Sequence, residues 1–202
     1  MKPTLSAPVM HRKVNNSLQT SLVGRQHIVA GNGKNTGITI SNHYINGVTS
    51  WSANCDTYHY WGLYLTGPGD TITLKNNYIY HTSGRSPKLG GSSVLHFVNN
   101  LWSDNNGHAF EGGAAYALLE GNHFRNVRAT VEKYTGYFWA PTTSDSSCQA
   151  ALGRSCVANM YENSPTIVNN NNQPIAKVGQ NAAAALQATT VGNLANTAGN
   201  TL

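Results

Sequence analysis

The sequence has few charged residues and many uncharged polar ones. Of its 202 residues, 13 are Lys or Arg and 8 are Asp or Glu, whereas 25 are Asn. Disordered chains combine high charge with few apolar residues, so this composition indicates a folded protein. The length allows one domain with a substantial core. We therefore expect a polar surface made of Asn, Ser, Thr and Gly rather than of charged groups.

Concentrated positive charge and long apolar runs are also missing. The net charge of +5 is spread along the chain, with no run of lysines, which argues against a nucleic-acid partner. An anionic polymer such as a polyuronide would meet the same charge equally well. No apolar run approaches the ~20 residues of a membrane helix, so we predict no membrane partner. The first twenty residues lack the apolar core of a signal peptide, so no export signal is visible in this chain.

Cysteine is scarce, with three residues in the chain. Cys148 and Cys156 bracket a short loop, and this spacing permits a local disulfide in an oxidising compartment. A lone pair at this spacing lacks the further ligands of a structural zinc site. Cys55 is left over, which implies a free thiol, an intermolecular bond or a missing partner.

A short pattern recurs along the middle of the chain. Each copy has a strand with alternating apolar positions, a polar bend with Asn, and a second aliphatic or aromatic pair. The copies are Ile38–Ile45, Ile72–Ile79, Leu95–Trp102 and Ala117–Phe124. The last three recur at intervals of 23 and 22 residues, and the first interval is 34 because of an insertion before the second copy. Such units must stack to bury their apolar faces, so we predict an all-β protein with a right-handed parallel β-helix.

One column of the repeat is polar. Asn77, Asn100 and Asn122 occupy the same position, and His43 takes that place in the first copy. Asparagine tolerates left-handed backbone geometry and can hydrogen-bond to local amides. We therefore interpret this column as a structural stack rather than as catalytic residues.

Two Gly-Arg pairs, at Arg25 and Arg85, stand sixty residues apart, and the second one follows a strand of the repeat. Together with the residues around them, they carry a resemblance to a known family. From about Gly24 onwards the chain is similar to the C-terminal half of fungal-type pectin lyases, in the pectate lyase superfamily. The segments that carry the resemblance are 24–29, 59–62, 83–88, 99–101, 107–111 and 153–156.

The resemblance implies a lyase that cleaves methyl-esterified polygalacturonan (pectin) by β-elimination and leaves a 4,5-unsaturated product. It implies that Arg85 is the base and that Lys88 and Arg25 polarise the ester and stabilise enolate-like charge. Arginine normally stays protonated far above neutral pH, so the chemistry leaves open a second role for Arg85, as an electrophilic clamp beside another base. A neutral ester carries no charge for a metal to offset, and no acidic cluster lies near either arginine, so we predict no metal and no other cofactor.

Aromatic residues near the insertion are candidates for substrate contact. Tyr60, Trp61 and Tyr64 are the predicted substrate-binding residues, because sugar faces stack on aromatic rings. Trp51 and Trp102 are predicted to be packing residues instead.

Three further polar residues near the matched segments are interpreted as structural. His59 could contact substrate, but we favour a hydrogen-bonded structural histidine. His108 and Glu111 have the appearance of an acid/base pair. The residues flanking Glu111, Ala-Phe before it and Gly-Gly after it, favour a structural turn at this position.

The predicted organisation has three parts: a divergent segment over residues 1–23, β-helix coils with the active-site loops over 24–168, and a tail over 169–202 that packs on the helix or is mobile. The resemblance places an acidic active-site residue near Pro3, yet no acidic residue precedes Asp56. We therefore expect an N-terminally truncated family domain, in which the usual partner of Cys55 lies in the absent half. The resemblance also implies secretion, and for the complete protein we expect a monomer.

Two other functions compete with the lyase. A catalytically inactive pectin-binding or truncated β-helix module is the alternative that the absent acidic residue favours. A hydrolase of the polygalacturonase type needs paired carboxylates at the scissile bond, and the eight acidic residues are scattered along the chain, so hydrolysis is disfavoured.

Overall fold

The computed structural model of the protein describes residues 12–14, 18–179 and 182–199. Most of its strands are two to five residues long, paired strands run in parallel, and the chain coils through three faces in turn. The first face consists of β1 (Arg12–Val14), β4 (Ile38–Ser41), β7 (Thr71–Lys75), β10 (Val94–Val98), β12 (Tyr116–Glu120) and β14 (Tyr137–Trp139). The structure is therefore a parallel β-helix, as predicted.

The other two faces share the long strands. The second face consists of β2 (Gln19–Thr20), β5 (Tyr44–Asn46), β8 (Tyr78–Tyr80), the first halves of β11 (Leu101–Gly112) and β13 (His123–Tyr134), and β15 (Met160–Glu162). The third face consists of β3 (Ile28–Ala30), β6 (Leu63–Leu65), β9 (Lys88–Leu89) and the ends of β11 and β13.

The predicted repeat sets the strand register. Ile38 pairs with Ile72, Ile72 with Leu95, and Leu95 with Ala117, which are the first residues of the four copies. Alternate side chains point inwards, because successive residues of a strand face opposite sides. The interior is filled by aliphatic and aromatic residues from all three faces. The spacing of apolar residues therefore sets the register in which the strands of successive coils pair.

Aromatic rings also stack from coil to coil inside the helix. The ring of Trp102 lies 4.8 Å from that of Phe124, which in turn lies 5.1 Å from that of Tyr161. Trp102 is fully buried, so its predicted packing role is confirmed. The same prediction for Trp51 is wrong, since this side chain is 88% exposed. Trp51 belongs to the insertion between Thr49 and Tyr60, which forms a loop outside the stacked coils.

The asparagine column is a continuous hydrogen-bonded ladder. The side-chain amide of Asn77 donates to Asn100 Oδ1 at 2.9 Å, Asn100 donates to Asn122 at 3.0 Å, and Asn122 donates to Asn159 at 2.9 Å. The backbone amide of His43 donates to Asn77 Oδ1 at 3.0 Å. The structural interpretation is thus confirmed.

The left-handed backbone expected in the asparagine column belongs to the residue before each of the four predicted positions, His43, Asn77, Asn100 and Asn122. Asn42, Asn76, Asn99 and Gly121 have φ between 54° and 60°. Each of these bends therefore uses two consecutive residues with different functions. One residue makes the left-handed turn, and the next supplies the buried hydrogen bonds that join coil to coil.

The remaining elements pack on the outside. In the described part of the chain, three short helices, α1 (Gln149–Leu152), α2 (Gln173–Val178) and α3 (Leu194–Thr197), accompany 3-10 turns at Ser146–Cys148 and Ala188–Asn193. Cys148 and Cys156 form the predicted disulfide, with 5.5 Å between their Cα atoms, and both pack with Ile175 of α2. Cys55 is free and exposed.

The predicted boundaries at residues 23/24 and 168/169 stay predictions. Residues 1–11 and 15–17 of the proposed divergent segment lie outside the described residues. β1 within that segment pairs in parallel with β4. In the tail, Leu186 exchanges backbone hydrogen bonds with the side chain of Asn99, at 2.7 and 2.8 Å.

Candidate active site

The turn that carries Arg85 connects β8 to β9 and is held on several sides. Arg85 has φ of 45°, a left-handed conformation that costs a non-glycine residue free energy. Its carbonyl accepts from the amide of Leu63 at 2.6 Å. The next residue, Ser86, donates its amide to Ala109 at 2.9 Å and accepts from the indole of Trp102 at 2.6 Å. Neighbouring coils therefore fix the backbone from which the Arg85 side chain projects.

Gly84 allows two rings to approach this turn closely. A Cβ atom at residue 84 would lie 2.7 Å from Cε2 of Tyr60 and 3.1 Å from Cε1 of His108. The first distance is too short for any side chain larger than glycine. Glycine is thus needed here because aromatic side chains lie against the backbone.

Arg85 and Lys88 share one carboxylate, that of Glu111. Arg85 Nε lies 2.9 Å from Glu111 Oε1, and Lys88 Nζ lies 3.5 Å from the same oxygen. The three side chains are 24%, 31% and 14% exposed, so the cluster lies partly shielded at the surface of the third face. Two of the three residues predicted as catalytic are therefore brought together by an acid that the sequence reasoning assigned to structure.

The prediction that Glu111 belongs to a turn is wrong, because the residue lies inside β11. Its partner in the neighbouring strand is Lys88. A usable signal was present in the sequence, since the two residues are 23 positions apart, which is one coil of the repeat. Applying the repeat spacing to the third face would have stacked Glu111 beside Lys88.

Glu111 is held in its ionised form. Burial raises the pKa of its carboxyl group, but the hydrogen bond from His108 and the charges of Arg85 and Lys88 outweigh burial, so the pKa lies below its ordinary value. His108 Nε2 is 2.8 Å from Glu111 Oε2, and His108 Nδ1 is 2.7 Å from Glu132 Oε2. His108 thus bridges two carboxylates on neighbouring strands.

The predicted aromatic residues lie between the arginines. The guanidinium of Arg85 is 5.4 Å from the ring centre of Tyr60, and that of Arg25 is 5.7 Å from the ring centre of Trp61. The two rings meet edge to face at 5.9 Å. Both arginine contacts are within the range of cation–π attraction. Arg25, Trp61, Tyr60 and Arg85 therefore form a continuous row.

Tyr64 joins the same surface through strand pairing. It lies in β6, between Val29 of β3 and Lys88 of β9, and these residues share the register of Glu111. All six residues predicted as catalytic or substrate-binding thus lie on or beside the third face. Their catalytic and sugar-binding roles stay predictions.

His59 is structural, as predicted. It is 4% exposed, and its Nε2 faces the carbonyl oxygens of Arg25 and Trp61, the latter at 3.0 Å. Its ring meets that of His27 edge to face at 4.8 Å. Burial, together with the nearby His59, lowers the pKa of His27 to about 4. The two histidines therefore brace the backbone that presents Arg25 and Trp61.

Within the described part of the chain, no group of three His, Cys, Asp or Glu side chains is placed to hold a metal ion. In the same residues, no helix has the length and apolarity to cross a membrane.

Comparison with known proteins gives one consistent set of relatives. The chain is 46% identical over 189 residues to pectin lyase A of Emericella nidulans, a match that covers 91% of this chain and 50% of the relative. It is 51% identical over 151 residues to pectin lyase B of the same fungus, covering 73% and 40%. It is 48% identical over 187 residues to a probable pectin lyase A of Aspergillus fumigatus, covering 90% and 49%. No protein-family model matches the chain. The chain spans about half the length of the curated relatives it matches.

Proposed function

This chain belongs to the pectin lyase family, and on that premise we propose that it cleaves methyl-esterified polygalacturonan by β-elimination. In this reaction a base takes the C5 proton, which is alpha to the ester carbonyl. The electron pair forms the double bond between C4 and C5, and the glycosidic oxygen leaves with the C4–O pair and takes up a proton. Negative charge builds on the ester carbonyl oxygen, so nearby cations stabilise the transition state.

The observation that carries the proposal is the row of cations and aromatic rings on the third face. The positive charges of Arg85 and Lys88 lie close together, because Arg85 Nε and Lys88 Nζ are 2.9 and 3.5 Å from the same oxygen, Glu111 Oε1. Tyr60 lies beside Arg85, and Trp61 lies beside Arg25. An esterified polyuronide has apolar sugar faces and ester carbonyls, which suit such a row. We assign Arg85, Lys88 and Arg25 to the reacting unit and the aromatic residues, with Tyr64, to sugar binding.

The role of Arg85 has two candidates. The resemblance gives it the part of the base, which needs a neutral guanidine. Arginine side chains normally stay protonated in proteins, and the 2.9 Å contact between Arg85 Nε and Glu111 has the geometry of a charge-assisted hydrogen bond. A charged Arg85 supports the other candidate, in which it binds the ester carbonyl and stabilises the enolate-like charge.

The proposed substrate fits the chemistry of the surroundings. A substrate with free carboxylates needs a counter-ion such as Ca²⁺, which binds to several oxygen ligands, whereas a methyl ester is neutral. The disulfide between Cys148 and Cys156 is typical of proteins outside the reducing cytosol, so we propose that the protein acts outside the cell.

Substrate preference tests the proposal. The purified chain is incubated with highly methylated pectin and, separately, with polygalacturonate with and without Ca²⁺, and the ultraviolet absorbance of the unsaturated product is followed. We expect a signal with pectin and none with polygalacturonate. Binding to pectin without any unsaturated product, from a chain shown by circular dichroism to be folded, would contradict lyase activity and support a binding module.

A further inference from the structure

The carboxylate of Glu111 has a full set of partners. Oε1 contacts Arg85 Nε at 2.9 Å and Lys88 Nζ at 3.5 Å. Oε2 contacts His108 Nε2 at 2.8 Å and the hydroxyl of Tyr60 at 3.4 Å. A carboxylate offers about two acceptor positions on each oxygen. Two of these contacts are shorter than 3 Å and the other two groups lie within 3.5 Å, so four side chains surround the carboxylate of Glu111.

The partners of Glu111 come from four different strands or turns. Arg85 belongs to the turn before β9, Lys88 to β9, His108 to β11 itself, and Tyr60 to the segment before β6. A single side chain thus connects the proposed reacting cations to the proposed sugar-binding ring. Such a residue can set the distance between these groups without touching the substrate.

A second carboxylate backs the histidine that contacts Glu111. His108 is 8% exposed, and its Nδ1 lies 2.7 Å from Glu132 on β13. Both ring nitrogens face carboxylates, so the ring is held at both ends. The close approach of Gly84 leaves it little room to rotate. This arrangement keeps Glu111 directed towards Arg85 rather than towards solvent.

We propose that Glu111, backed by His108 and Glu132, is a positioning residue that fixes the guanidinium of Arg85 beside the ammonium of Lys88. The inference rests on the proposed function, because it assigns the fixed cations to the elimination. Arg85 is bound to Glu111 through Nε, and the four N–H groups on its two terminal nitrogens are not needed for that contact. These donors are then held in place to meet the ester carbonyl.

The substitution Glu111→Gln tests the proposal, because it keeps the size of the side chain and removes its charge. Glu162→Gln is the matched control, since Glu162 also pairs with a histidine, His123 at 3.1 Å, but belongs to β15. The Nε–H resonance of Arg85 is assigned by its loss in Arg85→Lys and followed by ¹H–¹⁵N NMR. We expect slow solvent exchange of this proton in the wild type and in Glu162→Gln, and fast exchange in Glu111→Gln.

The rate of product formation from methylated pectin supplies the second readout. Misplacing a reacting group by about 1 Å can cost on the order of 100-fold in rate, so we expect kcat to fall by roughly 10- to 100-fold in Glu111→Gln while KM changes far less. His108→Gln weakens the support of Glu111 and should give a smaller fall in kcat. This variant also decides the matter if Glu111→Gln does not fold.

The two readouts separate the possible failures. Unchanged Nε–H exchange in Glu111→Gln and His108→Gln would overturn the positioning role whatever the activity. An unchanged kcat despite faster exchange would show that the fixed contact does not serve the reaction. Slow Nε–H exchange in a wild-type protein that forms no product from pectin would refute the proposed function. The ion pair between Arg85 and Glu111 would then be established by NMR, but it would have no role in an elimination.

Discussion

Replacing Asn100 by alanine should be one of the most destabilising single changes in the ladder. The side chain is fully buried and uses all of its hydrogen-bonding capacity. Its amide group donates to the carbonyl of Leu74 at 2.9 Å and to Asn122 Oδ1 at 3.0 Å. Its oxygen accepts from the backbone and the side chain of Asn77, at 3.0 and 2.9 Å. The substitution would remove four bonds that join three coils.

The expected loss in the free energy of unfolding is about 4 kcal/mol, from roughly 1 kcal/mol for each hydrogen bond, and buried groups left without partners would add to it. Asn170→Ala is the control. Asn170 is exposed and makes two comparable bonds, to Phe138 at 2.8 Å and Gly136 at 3.0 Å. Water can replace these partners, so we expect a loss of about 1 kcal/mol.

Urea unfolding followed by circular dichroism measures both losses. Because the two variants remove the same chemical group, the difference between their losses in the free energy of unfolding reports the effect of burial and of the number of hydrogen bonds. A loss for Asn100→Ala no larger than that for Asn170→Ala would refute the reasoning that the ladder joins the coils. A changed slope with denaturant, rather than a changed midpoint, would show that the unfolded state was altered instead.

Two further predictions concern the site and its support. Gly84→Ala should lower the rate of product formation from pectin by roughly 10-fold or more, since the new Cβ displaces Tyr60 and His108. Gly33→Ala is the control and should leave this rate unchanged, because nothing lies within 4 Å of a Cβ at residue 33. Equal rates for the two variants would contradict the close packing around Gly84. His27 has a pKa of about 4 in the folded protein and an ordinary value of 6.5. Between these two pH values the unfolded state binds more protons than the folded state. The free energy of unfolding should therefore fall by at most about 3 kcal/mol as the pH drops from 6.5 to 4. His27→Asn should flatten this part of the urea-midpoint profile, and an unchanged slope would argue against a buried neutral histidine.

The sequence predicted the parts of the fold that repeat. Stacked coils need apolar positions at equal spacing, so aligning Ile72, Leu95 and Ala117 also gave the strand register. Asn159 was missed although it extends the ladder, because it lies 37 residues after Asn122 and the loop between them breaks the period.

The site was predicted only in part, and for a physical reason. The residue types of Arg85 and Lys88 indicated their chemistry. Glu111 comes next to Lys88 only because β9 and β11 pair in successive coils, and this contact was not predicted from the sequence. Apolar Ala-Phe and Gly-Gly neighbours hid a strand residue that faces outwards. Trp51 shows the opposite error, since an aromatic residue in an inserted loop has no coil to pack into.

The proposal that Arg85 takes part in the elimination is tested most directly by comparing Arg85→Ala with Arg128→Ala on highly methylated pectin. Arg128 is exposed, and its one side-chain hydrogen bond in the described structure is 3.4 Å long, to Asn106. We expect the wild type and Arg128→Ala to form unsaturated product at similar rates, and Arg85→Ala to form it at least about 100-fold more slowly. Equal rates for the two variants, with both proteins folded, would contradict a catalytic role for Arg85.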